Sequence, residues 1–194
     1  LDFTTGRGDD KPPTSESTPL PPPEVTLSLA DLLSPEVAEP LQTALAVGDF
    51  RQADEQTFEL LLALGDVDGS GWLSLQEIES LSCEAIRAID QEWLNHSNGH
   101  FGFSVQADIW REVGSPDPDG TDAATMQQWE EFGDRVGWKE NGQWIEYSGF
   151  GFDPSNSPEG ELPAWIQPLS GTEFFYGWAD VFRRLAWLAS GHVR

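Results

Sequence analysis

The sequence predicts an all-α fold, a single compact helical domain with one long Pro/Gly-rich loop and a short hairpin, preceded by a disordered tail. Apolar residues recur at helical spacing over most of the chain after residue 40. The pattern stops over 149–171, where glycines and prolines are too frequent for a helix. The first part of the chain is rich in Pro, Ser and Thr, which bury too little apolar surface to offset the entropy of ordering.

We place the boundary between tail and domain at residue 38. Residues 1–38 then form the Pro/Ser/Thr-rich tail, and residues 39–194 form the folded domain. Because the first residue is Leu1 rather than Met, we expect the chain to be a processed or excised piece of a longer one.

Each predicted helix follows from apolar residues spaced for one face and from the residues at its ends. Gly65 ends the first helix, and Ser104 is expected to cap the fourth at its N-terminus. The predicted helices cover residues 40–64, 75–81, 83–95, 105–113, 121–136 and 172–189.

A short two-stranded ribbon is expected between the fifth and the last helix. Trp138 and Trp144 flank Asn141-Gly142, a dipeptide typical of a tight hairpin turn. The long loop that follows carries more large apolar side chains than its Pro/Gly content leads one to expect, and long loops of this kind are usually functional.

The charge of the chain excludes several classes of partner. Lys and Arg total 10 and Asp and Glu total 34, which gives a net charge of −24. A protein that binds a nucleic-acid backbone neutralises phosphates with Lys and Arg, so we expect no nucleic-acid partner. No apolar run approaches the roughly 20 residues of a bilayer span, and we expect peripheral membrane association at most.

Residues 66–77 match the twelve-residue EF-hand calcium loop. Gly71 stands where that loop turns sharply, and Leu73 fills its apolar position. The expected calcium ligands are Asp66, Asp68, Ser70, Trp72 through its carbonyl, Ser74 and Glu77. The alternative is a solvated acidic turn in which Ser74 and Glu77 form a helix capping box.

No catalytic constellation is apparent in the sequence. It contains no nucleophile elbow, phosphate-binding loop or zinc motif, and Cys83 is its single cysteine. We therefore expect that the protein is not an enzyme.

Several runs of residues together resemble one protein family. The most specific is Asn98-Gly99-His100-Phe101-Gly102-Phe103-Ser104-Val105-Gln106. It is continued by Phe-Gly-Asp-Arg-Val-Gly-Trp over 132–138 and by Gly-Glu-Leu-Pro over 160–163. The chain resembles the Gun-four (genomes-uncoupled) family over residues 45–190.

The resemblance implies an all-helical domain shaped like a cupped hand, which binds protoporphyrin IX and Mg-protoporphyrin IX on an apolar palm. It implies stimulation of magnesium chelatase in chlorophyll biosynthesis, in contact with the large porphyrin-binding subunit of that enzyme, and no catalysis by the chain itself. It also implies a location in the chloroplast stroma or the cyanobacterial cytoplasm.

The same resemblance places the porphyrin site at the central helices and at the loop before the last helix. A macrocycle needs apolar walls, and its two propionates need cations. The expected binding residues are Phe101, Phe103, Phe150, Phe152, Leu162, Trp165 and Ile166, with Arg183 and Arg184 near the propionates. For each apolar side chain taken alone, burial in a small core under the loop is the alternative.

The sequence departs from the family pattern in the charge of this loop. Residues 149–173 contain four acids and neither Lys nor Arg. Glu161 stands where the family usually has His, so we expect an acidic rim that repels propionates. This motivates an alternative function, a divergent non-enzymatic interaction module or calcium-responsive sensor that keeps the fold without binding porphyrin.

Overall fold

The structure is a computed structural model that describes residues 27–65, 73, 75–114, 126–164 and 185. The described part is mostly helical, with one two-stranded sheet, which confirms the predicted fold class. In chain order its elements are α1 (Leu29–Leu32), α2 (Pro35–Ala46), α3 (Phe50–Leu64), α4 (Leu75–Ser80), α5 (Cys83–Ser97), α6 (Phe103–Glu112), α7 (Met126–Arg135), β1 (Lys139–Glu140) and β2 (Gln143–Trp144), followed by a 3-10 turn at Tyr147–Gly149.

The helix predicted over 40–64 is two helices in the structure. The break falls between Ala46 and Phe50, where Gly48 has a φ of +74°. Asp49 caps the second helix, because its carboxylate accepts the N–H of Gln52 at 3.1 Å. The single-helix prediction was wrong because the apolar spacing continues across a glycine that ends one helix and an aspartate that starts the next.

The core is formed where these helices pack on each other. α2 packs against α3, while α5 packs against α1 and α2. α6 contacts α7, and α7 contacts β1. One hydrophobic cluster runs through all of these contacts and includes the fully buried Trp93, Phe101 and Phe103. This core supports the irregular segment that follows the hairpin.

α6 begins one turn after α5 ends and is capped from α5. Its N-cap residue is Gly102, so the prediction that Ser104 fills this position was wrong. Instead, Asp90 of α5 accepts the backbone N–H of Ser104 at 2.9 Å. A Cβ on Gly102 would lie 2.7 Å from this carboxylate, so the residue must be glycine for Asp90 to reach the helix end.

The hairpin forms where it was predicted. Lys139 pairs with Trp144 and Glu140 with Gln143 in an antiparallel ladder. Asn141 and Gly142 have φ values of +52° and +76°, the left-handed pair that a two-residue type I′ turn requires.

One helix lies inside the stretch that the composition assigns to the tail, and a second helix begins there. α1 begins at Leu29, whose side chain is fully buried, and α2 begins at Pro35. Residues 1–26 and most of the predicted last helix over 172–189 lie outside the described residues. In the described part of the chain, we find no helix with the length and apolarity needed to cross a bilayer.

Candidate functional site

The candidate site is built on the irregular segment at residues 149–164, which we call the anchored loop. It begins at the last residue of the 3-10 turn at Tyr147–Gly149 and contains neither helix nor strand after that residue. Such a segment holds one shape only if its backbone groups find partners elsewhere. In this loop, buried side chains from other elements and from the loop itself provide those partners.

Glu161 holds the start of the loop from inside. Its side chain is almost fully buried, and its two carboxylate oxygens accept the N–H groups of Gly151 and Phe152, each at 3.1 Å. The expectation that Glu161 contributes to an acidic rim was therefore wrong. Its charge is turned towards the loop backbone and serves to shape the loop.

Two further buried side chains hold the end of the loop. Asp54 of α3 accepts the N–H of Ala164 at 2.7 Å. Gln106 of α6 donates from Nε2 to the carbonyls of Gly160 at 2.8 Å and Pro163 at 2.9 Å. Because Asp54 and Gln106 are fully buried on separate helices, the loop end is fixed relative to the helical core.

Three aromatic rings meet at the start of the anchored loop, and we call Tyr147, Phe150 and Phe152 the aromatic patch. The Tyr147 ring centroid lies 5.7 Å from that of Phe150 and 5.1 Å from that of Phe152. Phe150 is buried, whereas Tyr147 and Phe152 are half-buried and keep part of their surface exposed. The patch therefore offers a flat apolar ligand a surface that is open to solvent.

Phe152 adopts a backbone conformation that a large side chain rarely takes. Its φ is +51°, in the left-handed region, and Glu161 holds its N–H. Strain of this kind persists only where surrounding contacts fix it, and it is common at ligand sites. In this protein it directs a ring into the patch.

A cation completes the patch. The Arg51 guanidinium carbon lies 4.1 Å from the centre of the Phe152 ring and 5.5 Å from that of Tyr147. Arg51 lies in the first turn of α3, and Asp54 lies on the same helix. The helix therefore contributes both a buried anchor for the loop and an exposed charge beside its aromatic rings.

The aromatic patch stays apolar because the Tyr147 hydroxyl does not ionise. Burial raises the pKa of the Tyr147 hydroxyl far above its ordinary value of 10.0, and the nearby Asp54 carboxylate raises it further. Tyr147 is therefore neutral at any physiological pH. Two exposed charges act on this hydroxyl, the carboxylate of Glu55, which raises its pKa, and the guanidinium of Arg51, which lowers it.

The structure places five of the nine predicted porphyrin-binding residues. Phe150 and Phe152 belong to the aromatic patch. Phe101, Phe103 and Leu162 are fully buried in the core cluster against which Tyr147 and Phe152 pack. Their surface is enclosed, so they support the patch from the core. The remaining four, Trp165, Ile166, Arg183 and Arg184, lie outside the described residues.

Most of the predicted calcium loop also lies outside the described residues. This holds for the side chains of Asp66, Asp68, Ser70, Trp72 and Ser74. Glu77 is half-buried in the first turn of α4. Within the described part of the chain, no group of three or more His, Cys, Asp or Glu side chains is arranged to hold a metal ion.

Sequence reasoning missed Arg51, Asp54 and Tyr147. The apolar spacing of α3 predicts its buried face but not which loop its first turn meets. A buried aspartate among apolar residues of one helix face was the available signal, because such a carboxylate needs a partner from elsewhere in the fold.

Comparison with known proteins gives a family match over most of the folded part. The sequence model of the GUN4-like family matches residues 36–177. A Ycf53-like protein of Synechocystis sp. is 35% identical over 127 residues, which cover 64% of this chain and 49% of the relative. The chain thus spans about half the length of that relative.

A curated relative and a solved structure from Arabidopsis thaliana are also similar. The chloroplastic tetrapyrrole-binding protein is 40% identical over 75 residues, which cover 38% of this chain and 28% of that protein. The ligand-free structure of Arabidopsis thaliana GUN4 superposes with a TM-score of 0.58 at 26% identity, covering 78% of this chain and 94% of that one.

Proposed function

Because the chain belongs to the GUN4-like family, we propose that it binds a tetrapyrrole and acts by binding rather than by catalysis. The observation that carries the proposal is the aromatic patch on a loop whose backbone is held by buried Asp54, Gln106 and Glu161. A preformed apolar surface beside a cation suits a flat macrocycle with acidic side chains. The Arabidopsis relative named as a tetrapyrrole-binding protein supports the same ligand class.

We propose more specifically that the ligands are protoporphyrin IX and Mg-protoporphyrin IX. The partner is then the large porphyrin-binding subunit of magnesium chelatase, whose reaction the chain stimulates. The setting is the chloroplast stroma or the cyanobacterial cytoplasm, in keeping with relatives from a cyanobacterium and a chloroplast. Magnesium insertion by reconstituted chelatase should rise when the chain is added, and an unchanged rate would contradict this role.

A porphyrin titration tests the binding proposal. The folded chain should shift the Soret band of deuteroporphyrin saturably. Phe152→Ala should weaken binding about tenfold, because it removes a large apolar contact from the open side of the patch. Trp144→Ala is the matched control, since Trp144 is a half-buried aromatic ring beside another cation, Lys139, and belongs to the hairpin.

The outcomes of this titration separate two failures. A folded wild-type chain that leaves the Soret band unchanged would refute tetrapyrrole binding and favour the divergent interaction module. Equal affinities for wild type and Phe152→Ala would keep the ligand but place it elsewhere on the molecule. Circular dichroism of each variant shows whether it is folded.

We also propose that residues 66–77 bind calcium. α3 ends at Leu64 and α4 begins at Leu75, so helices flank this segment as an EF-hand requires. Leu73, at the apolar position of the loop, is buried. Calcium that binds only the native state stabilises it by about 2.7 kcal/mol at a hundred times Kd.

Thermal unfolding with and without millimolar calcium tests this second proposal. The melting temperature should rise by several degrees with calcium, and magnesium at the same concentration should have a smaller effect. Glu77→Gln should abolish the calcium response, because it removes the bidentate carboxylate of the loop. An unchanged wild-type melting curve would rule out the site.

A further inference from the structure

A ligand that carries carboxylates needs a cation beside the aromatic patch. The anchored loop itself contains no cationic side chain. Residues 149–173 have neither Lys nor Arg. The fold supplies one from a distant part of the chain, since the guanidinium carbon of Arg51 lies 4.1 Å from the centre of the Phe152 ring.

Arg51 differs from the other cations that the structure describes. Arg111 pairs with Asp108, and Arg135 pairs with Glu112 at 2.6 Å. Lys139 lies between Glu130 at 3.7 Å and Asp134 at 3.5 Å. Arg87 is half-buried, and two of its guanidinium nitrogens are enclosed. Among these described cations, Arg51 alone is both exposed and without a carboxylate of the described residues within 4.0 Å.

The described acids near Arg51 do not form an ion pair with it. The Asp54 carboxylate is fully buried and accepts the N–H of Ala164 through Oδ1. Glu161 is buried and holds the backbone of Gly151 and Phe152. Glu55 is exposed one turn along α3, beyond ion-pair distance of Arg51. Arg51 is therefore exposed, and no acid of the described residues forms an ion pair with it.

A guanidinium over an aromatic ring is well prepared to bind an anion. Stacking uses its face and leaves its N–H donors free, and it restricts the rotamers that an isolated arginine would lose on binding. Carboxylates accept two parallel hydrogen bonds from such a group. A porphyrin lying on the aromatic patch would bring a propionate from its edge to this position.

We propose that Arg51 binds a propionate carboxylate of the tetrapyrrole at the edge of the aromatic patch and selects for ligands that carry this acid. This inference rests on the proposed tetrapyrrole binding. It assigns the acid-recognition role to a residue of α3, in addition to any contribution from the last helix.

The test uses two ligands and three variants. Deuteroporphyrin carries two propionates, and its dimethyl ester has the same macrocycle without the acid groups. Soret titrations should show that Arg51→Gln weakens binding of the diacid about tenfold or more, because a charge-assisted bidentate pair is lost. The ester should bind wild type and Arg51→Gln equally.

Two further variants define the cause. Arg51→Lys keeps the charge but loses the bidentate geometry, so its affinity for the diacid should lie between those of wild type and Arg51→Gln. Arg111→Gln is the matched control, because it removes an exposed arginine that already has a partner, Asp108. Its affinities should equal those of wild type.

Each other result overturns the inference in a distinct way. No Soret shift with wild type and either ligand would refute tetrapyrrole binding and this inference with it. A wild-type shift with equal diacid affinity in Arg51→Gln would refute the role of Arg51 alone. Equal losses for the diacid and the ester would show that Arg51 supports Phe152 by packing and recognises no acid.

Discussion

The aromatic patch and a second group of aromatic rings contain similar side chains but differ in their exposure. The second group consists of Trp110, Trp129, Phe132 and Trp138. We call the second group the Trp cluster. Its rings pack edge-to-face and stacked, with centroids 5.3 Å apart for Trp110 and Phe132 and 5.7 Å for Trp129 and Phe132. All four are buried. In the patch, by contrast, Tyr147 and Phe152 are half-exposed.

The cations beside the two groups of rings also differ in exposure and in ion pairing. Lys139 lies over the Trp144 ring at the edge of the Trp cluster, with its side chain 5% exposed and two acids beside it. Arg51 lies over Phe152, is exposed, and has no such pair among the acids that the structure describes. Rings that the chain encloses stabilise the fold, whereas rings left open beside an unpaired charge are available to a ligand.

The largest expected difference between the two groups is in stability. Trp129→Ala should lower the free energy of unfolding by about 3–5 kcal/mol, because it leaves a cavity among buried rings. Phe152→Ala should lower it by about 1 kcal/mol, because that ring is already half in solvent. Urea unfolding followed by circular dichroism measures both. Equal losses of stability would show that the aromatic patch is part of the core, like the Trp cluster.

Each region also depends on a buried carboxylate, and that of Asp90 makes stability depend on pH. Asp90 caps α6, which carries Trp110, whereas Glu161 shapes the backbone that carries Phe152. Burial is the main cause that raises the pKa of Asp90 from 3.8 to about 6; the neighbouring Asp108 carboxylate makes a smaller contribution in the same direction, while the hydrogen bonds from Ser104 and Phe103 oppose the shift.

Because the pKa of Asp90 is raised in the folded protein, we expect stability to fall as the pH rises. Between the two pKa values the folded protein holds a proton that the unfolded chain has released. The contribution of Asp90 to stability is therefore complete below about pH 4 and is lost as the pH rises to about 6. The loss should reach about 2–3 kcal/mol.

The variant Asp90→Asn isolates this effect from the other acids. Its amide oxygen can still accept the N–H of Ser104, but it does not titrate. Urea unfolding of both proteins from pH 4 to pH 7 should show wild type losing stability relative to Asp90→Asn as the pH rises. A constant difference across this range would mean that Asp90 titrates alike in the folded and unfolded chain.

Local patterns predicted the helical architecture and the hairpin well. Periodicity located α4, α5, α6 and α7, and Asn141-Gly142 located the turn, because each of these signals acts within a few residues. The break at Gly48 was missed because apolar spacing alone does not register a cap. Family resemblance drew attention to the loop, although it could not show which of its acids point inward.

The site depends on contacts that no local pattern contains. Ala164 meets Asp54 across a separation of 110 residues, and Gln106 reaches Gly160 across 54. The same folding brings Arg51 to Phe152. Composition therefore described the loop as an acidic segment without cations, whereas the folded chain buries Glu161 and supplies a guanidinium from α3.

The smaller of the two carboxylate effects concerns Glu161 and decides whether the shape or the charge of the loop matters. Glu161→Gln keeps one oxygen acceptor but turns an amide N–H₂ towards the N–H of Gly151 or Phe152. One buried donor then loses its acceptor, which should cost about 1–2 kcal/mol in the free energy of unfolding. Glu159→Gln, at an exposed position two residues away, should leave stability unchanged.

The same pair of variants separates two explanations of porphyrin affinity. If the acids of the loop repel propionates through their charge, removing either charge should strengthen binding of the diacid. If Glu161 acts by shaping the backbone of Phe152, Glu161→Gln should weaken binding of the diacid and of the dimethyl ester alike, while Glu159→Gln changes neither. Stronger binding by Glu161→Gln would show that its charge reaches the ligand despite its burial, and the open patch would then owe its shape to Asp54 and Gln106 alone.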